Sequence, residues 1–198
     1  MATQKLNLSN LTFEQLSDKS WNGVPIKTYG AKLPRRLEGI GIDPGRNFGV
    51  AALLGREAWV MVGQLPKEEE QWLYGVAAYD LMSAATSILE VDKVVVEGGF
   101  DGVPGAVSLT YIRMGFVLGA YYMGKEVSIV APTKLRKTVL GSGKKQGAGF
   151  ITGLPDHGSD ALIAALYAAG VTNSDIQNGS AGPKSTVDSK RVHTNGGK

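Results

Sequence analysis

Residues 39–54, GIGIDPGRNFGVAALL, limit what this chain can fold into more than any other stretch. A short apolar run, Gly39-Ile40-Gly41-Ile42, ends in Asp43, and Pro44-Gly45 follow at once. Pro-Gly punctuates a turn, and the apolar pattern resumes at Phe48-Gly49-Val50. The pattern predicts a β-hairpin with strands over about 38–43 and 48–54, the first of which presents an acid at its end. A half-buried carboxylate is costly unless something compensates it, and a cation is the simplest compensation. Taken by itself, Asp43 is equally well a turn-initiating residue ahead of Pro-Gly.

The rest of the chain extends this start. A third strand is predicted over about 57–63 after the Gly55-Arg56 turn, which makes an antiparallel meander. Pro66 is expected to open a helix reaching about residue 90, with Glu68, Glu69 and Glu70 near its positive end. Trp72, Val76, Tyr79, Leu81, Met82, Ile88 and Leu89 supply its spacing. Lys93-Val94-Val95-Val96-Glu97 is a continuous apolar strand suited to a central position, and it too ends in a carboxylate followed by glycines. A helix follows over about 106–123. Its Gly115 and Gly119 permit another helix to approach closely, either in the core or across a dimer interface. Val127–Val130 is the fifth strand, and Pro132 starts a short basic helix, TKLRKTVL, which leads into the loop GSGKKQGAG. The last helix is predicted over about 157–169, with Asp156 as its N-cap and Gly170 as its stop. This order predicts an α/β protein: a mixed sheet of five strands with helices on both faces.

With 198 residues, 43% of them hydrophobic, one domain with a real core is expected. Residues 1–37 read as an irregular N-terminal arm, 38–172 as the domain, and the polar stretch 173–198 as a disordered tail. The sequence has no run of 18 apolar residues, so no membrane partner is expected. The first residues lack the apolar core of a signal peptide. The absence of cysteine removes disulfides and Cys-ligated zinc and fits a reducing cytoplasm. The net charge of +3 is unevenly spread: residues 51–100 carry 3 Lys/Arg against 8 Asp/Glu, and residues 101–150 carry 7 against 2. The basic stretch points to an anionic partner.

Three separate pieces end in candidate ligands: Asp43, Glu97, and the pair His157 and Asp160. The last two are three residues apart and so share one helical face. Each has a plainer reading alone, His157 as a capping or surface residue and Asp160 as a favourable acid in a first helical turn. Together, three carboxylates and an imidazole make a hard, oxygen-rich set that favours Mg²⁺ or Mn²⁺ over zinc. Two such ions about 4 Å apart can activate a water and stabilise the leaving oxygen in phosphodiester cleavage.

In four pieces, GIGIDPGRNFGVA, VVVEGGF, LRKTVLGSGKK and DHGSDALIAAL, the chain resembles the RuvC family of Holliday-junction resolvases within the RNase H-like superfamily. The pieces occur in family order and span about residues 38–170. The resemblance implies a sheet of order 3-2-1-4-5, with Asp43 and Glu97 on adjacent central strands. It implies metal-binding and catalytic roles for Asp43, Glu97, His157 and Asp160, where the third position is Asp in many members and His in some. It also implies a homodimer that uses two Mg²⁺ or Mn²⁺ ions per site to nick two opposed strands of a four-way DNA junction, leaving 5′-phosphates. Phe100 would contact bases near the junction centre. Arg136 and Lys144 or Lys145 would lie near the scissile phosphate.

The segment between GSGKK and DHGSD is about a helix shorter than usual, and the arm and tail have no counterpart in common members. A compact, decorated member of this kind suits a bacteriophage, acting in the host cytoplasm. Three competing readings remain open. One is another nuclease of the same fold, either YqgF-like and acting on RNA or less selective for branched DNA. The second is an actin-type ATPase or sugar kinase, which needs further Gly-rich phosphate loops and usually twice the length. The third is a non-catalytic DNA-binding protein that kept the fold.

Overall fold

A computed structural model describes residues 5–67, 70–99, 106–145 and 150–176. In chain order the elements are β1 (Glu14–Trp21), β2 (Val24–Asp43), β3 (Asn47–Gln64), α1 (Leu73–Ser87), β4 (Lys93–Glu97), α2 (Ala106–Tyr122), β5 (Glu126–Val130), α3 (Pro132–Leu140) and α4 (Asp156–Ala168). Among the described residues, no helix is long and apolar enough to cross a membrane.

The two longest strands explain the sheet. Fully extended, the 18 residues of β3 would span about 60 Å, yet its ends meet. Gln64 Nε2 donates to Asn47 Oδ1 at 2.7 Å, the Leu65 N–H donates to the Arg46 carbonyl at 2.7 Å, and the Phe48 ring closes over Gly63. β3 is therefore folded back on itself at Gly55-Arg56, where Gly55 takes the positive φ of 67° that a tight hairpin turn requires. β2 wraps around the tip of this hairpin. Its residues 37–43 pair with 49–55, its residues 26–32 pair with 57–63, and the register shifts between Lys32 and Leu37. On its other side, Ile40, Gly41 and Ile42 run parallel to Val94, Val95 and Val96, and β4 runs parallel to β5. The five predicted strands thus stand in the order 57–64, 47–54, 37–43, 93–97, 126–130.

Helices cover both faces, and the strand period of two assigns each side chain to one of them. Ile40, Ile42, Val50, Ala52, Val94 and Val96 pack under α1 and α2. Ala51, Leu53 and Val95 pack under α3 and α4.

Several boundaries differ from the sequence reading. There is no break at residue 37, because β2 runs through it, and β1 extends the sheet by pairing with the start of β2. Most of β1 is exposed, so EQLSDKSW lacks the alternation that marks a half-buried strand. Ahead of it, Leu6, Leu8, Leu11 and Phe13 are buried in the same core as α4. The Phe13 N–H donates to the Thr152 carbonyl at 3.0 Å, and the Leu6 N–H to the Asp175 carbonyl at 2.8 Å. Every residue from Ala161 to Leu166 is buried, as a helix apolar all round requires, in a core formed with the sheet, α3 and the arm.

Helix α1 starts at Leu73, not Pro66. Leu65 is fully buried and held by Arg46 through two hydrogen bonds, and a residue before proline is disfavoured in helical conformation. Glu70 precedes the helix; Glu68 and Glu69 lie outside the described residues. Gly115 and Gly119 serve packing within the chain: a methyl on Gly119 would meet the Tyr79 carbonyl at 2.7 Å, on α1. The N-cap of α4 is Pro155, whose carbonyl accepts from the Ser159 N–H at 2.9 Å; Asp156 is the first helical residue instead. The described residues extend to Ile176, which is buried and bridged to Leu6. Thr172 and Asp175 form a reciprocal capping box, and Asp175 also meets Arg35 at 3.2 Å. Residues 177–198 lie outside the described residues.

Candidate active site

Asp43 ends β2 and Glu97 ends β4, each one residue past the parallel pair Ile42 and Val96, so the two acids are neighbours at one end of the sheet. α4 comes down onto the strands because glycines make room for it. A methyl on Gly41 would overlap the backbone of Ala161 and Ala165, and one on Gly49 would overlap the carbonyl of His157. This close approach brings His157 and Asp160, on the first turns of α4, to the strand ends. The role of Gly41 and Gly49 escaped the sequence reading, although GIG and FGV beside a strand-end acid are a usable signal for close backbone approach.

His157 Nδ1 donates to Asp43 Oδ2 at 2.7 Å. That bond leaves the Nε2 lone pair of a neutral imidazole available. Arg136, from α3, reaches between the other two acids: its Nη2 lies 3.1 Å from Asp160 Oδ1 and 3.5 Å from Glu97 Oε1. The Arg136 side chain is only 10% exposed, and the three carboxylates are 12–16% exposed. Lys145 stands at the rim, 3.8 Å from Asp160 Oδ2, with its side chain mostly in solvent.

The electrostatics show a cluster short of positive charge. Burial, reinforced by the charges of Asp43 and Asp160, pushes the Glu97 carboxyl up to about 7, even with Arg136 and Lys145 opposing. The hydrogen bond to Asp43 raises the His157 imidazole above its ordinary value against the effect of burial. Among the described residues, no three His, Asp or Glu side chains are arranged as a ready ligand group. Asp43 is engaged by His157 and Asp160 by Arg136. The donor types and the excess negative charge nevertheless fit a hard cation.

The structure brings Asp43, Glu97, His157, Asp160, Arg136 and Lys145 together. Lys144 is exposed next to Lys145 and in no ion pair with the cluster, and Phe100 lies outside the described residues. Arg136 differs most from expectation: it is an internal partner of the acids and nine-tenths buried.

No protein-family model and no curated protein matches the sequence. Solved structures do match. A Thermus thermophilus RuvC structure aligns with a TM-score of 0.51 at 21% identity, covering 64% of this chain and 90% of that one. T. thermophilus RuvC in complex with Holliday junction substrate aligns with a TM-score of 0.50 at 22% identity, covering 64% and 89%. The chain has the fold of RuvC, an RNase H-like mixed sheet of five strands with helices on both faces.

Proposed function

We propose that this protein is a metal-dependent endonuclease that resolves four-way DNA junctions by paired nicks, acting as a homodimer. One observation carries the reading. Asp43, Glu97, His157 and Asp160 converge at the ends of two adjacent central strands, in a fold shared with a RuvC solved on a Holliday junction substrate. Asp43, Glu97, His157 and Asp160 would hold Mg²⁺ or Mn²⁺, two ions in one site, whose chemistry is to lower the pKa of a water and stabilise the leaving oxygen.

The chain's own residues set the stage. Arg136 keeps two like-charged carboxylates side by side, and His157 steadies Asp43 while offering Nε2. Lys145 at the rim, with Lys144, would meet phosphate oxygens as point charges. Phe100 would stack on a base at the junction centre. Cleavage would leave 5′-phosphates.

An exposed stripe on α2 supports the dimer. Val107, Tyr111, Met114, Leu118 and Tyr121 recur at alternating steps of four and three and are 38–64% exposed. That spacing is the seam along which helices pair, and a two-fold pair of sites matches the symmetry of a four-way junction.

The test is cleavage of a synthetic four-way junction with Mg²⁺. Asp43→Asn, Glu97→Gln and Asp160→Asn should each reduce cleavage to background while junction binding persists, because losing a negative charge also relieves repulsion with phosphates. A variant that cleaves at close to the unmodified rate removes its residue from the site. Equal binding to junction and linear duplex at physiological salt would replace the resolvase reading with a less selective nuclease.

A further inference from the structure

We propose that the outward face of α3, with the loop that follows it, is a phosphate-contact strip along which a duplex arm of the DNA runs away from the site; this rests on the nuclease reading above. Helical period divides the nine residues of α3 into two faces. Leu135, Arg136 and Val139 turn inward and are buried, with Arg136 reaching the acids. Thr133, Lys134, Lys137 and Thr138 form the other face, and the first three are exposed. The helix stops at Gly141, where φ is 76° and the N–H donates to the Lys137 carbonyl. The chain then turns back, so that a methyl on Gly143 would lie 3.4 Å from the Thr133 carbonyl. Between helix and returning loop runs a groove of about 320 Å³ lined by Thr133, Lys134, Lys137, Thr138 and Gly143.

Charge decides what such a groove accepts. Residues 131–145 hold Lys134, Arg136, Lys137, Lys144 and Lys145 and no Asp or Glu. The acid cluster engages two of the five, Arg136 and Lys145. Lys134, Lys137 and Lys144 are in no ion pair among the described residues. On the sheet extension, by contrast, Lys27 and Lys32 are paired with Asp18 and Glu57. The strip therefore offers ammonium and hydroxyl donors with no carboxylate to satisfy them, which suits a repeating anion. One face of α3 serves the acids, and the opposite face continues outward from the same place. Lysines there would contact phosphates as point charges and carry no sequence preference.

The experiment measures affinity for a labelled four-way junction in EDTA as salt rises from 50 to 200 mM. Two lost phosphate contacts lower the slope of log affinity against log salt by about 1.8. In Lys134→Ala/Lys137→Ala the salt-induced loss of affinity should thus be about tenfold smaller than in the unmodified protein, for junctions of any sequence. Lys134→Arg/Lys137→Arg should restore the slope, because it keeps the charge. Lys5→Ala/Lys19→Ala, which removes two exposed lysines elsewhere, should leave it unchanged. DNA binding with an unchanged slope in the α3 alanine pair, or an equal change in the control pair, overturns the strip and leaves the nuclease reading standing. Failure of the unmodified protein to bind DNA at all overturns both.

Discussion

Helices α4 and α2 lie on opposite faces of one sheet, and both are apolar nearly all the way round in sequence. α4 is enclosed by the strands beneath it and by α3, in a core that Leu6, Leu8, Leu11 and Phe13 of the arm share. α2 is covered once. Ile112, Phe116 and Ala120 meet the core, while Tyr111, Met114 and Leu118 stay exposed. Similar apolar content therefore has two different fates. Where the chain supplies its own cover, burial is intramolecular and holds the acid cluster in place. Where it does not, the face stays exposed, and under the proposal above that is where a second copy would pack.

The largest effect should come from truncating the largest of those four arm side chains in the core that they share with α4. Phe13→Ala is expected to cost about 3–5 kcal/mol in urea unfolding, a large part of the roughly 5–15 kcal/mol that holds a domain together. A loss below about 1 kcal/mol would mean that the arm adds little to the core around α4.

A smaller effect should come from the crowding that α4 imposes on the acids. The folded-state value for Glu97, about 7, lies above the ordinary 4.5. Its contribution to stability is thus fully present below about pH 4.5 and is lost as pH rises through about 7, on the order of 3 kcal/mol. His157, also raised, acts with the same sign. Melting in EDTA between pH 5 and 8 should show stability falling with pH, and Glu97→Gln should flatten the curve. An equally steep curve in that variant would assign the loss to other groups.

The smallest effect on the fold itself is expected on α2. Leu118→Glu should change monomer stability by only about 0.5 kcal/mol, yet shift sedimentation from dimer to monomer. An unmodified protein that sediments as a monomer at high concentration would break the contrast from the other side.

Much of this was legible in the sequence for identifiable reasons. Asp43 and Glu97 each end an apolar strand just ahead of glycine or proline, and it was their joint occurrence with His157 and Asp160 that made the site legible. Pro132 and Gly141 punctuate α3 on both sides, so its limits could be read directly. β1 was illegible because an edge strand wet on both faces carries no alternation. Leu6, Leu8, Leu11 and Phe13 have no strand or helix period of their own, so nothing announced what they cover. Ile176, one apolar residue at the head of a polar tail, gave no hint of its pairing with Leu6. Arg136 was expected near the scissile phosphate from the resemblance alone, without its burial against the acids. The available clue was its position beside Leu135 and Val139, which mark the inward face.

The bridge between Leu6 and Ile176 joins positions 170 residues apart, and this has a consequence for the chain while it is being made. Translation proceeds at about 5–20 residues per second, so roughly 6–25 seconds separate the synthesis of β2 from that of α4. Throughout that interval the face of β2 and β3 on which α4 rests, with Gly41 and Gly49 at its closest point, has no helix to cover it. Leu6, Leu8, Leu11 and Phe13 have nothing to close over. The segment that completes both the core and the acid cluster is among the last of the described residues to leave the ribosome, so an incomplete chain holds neither.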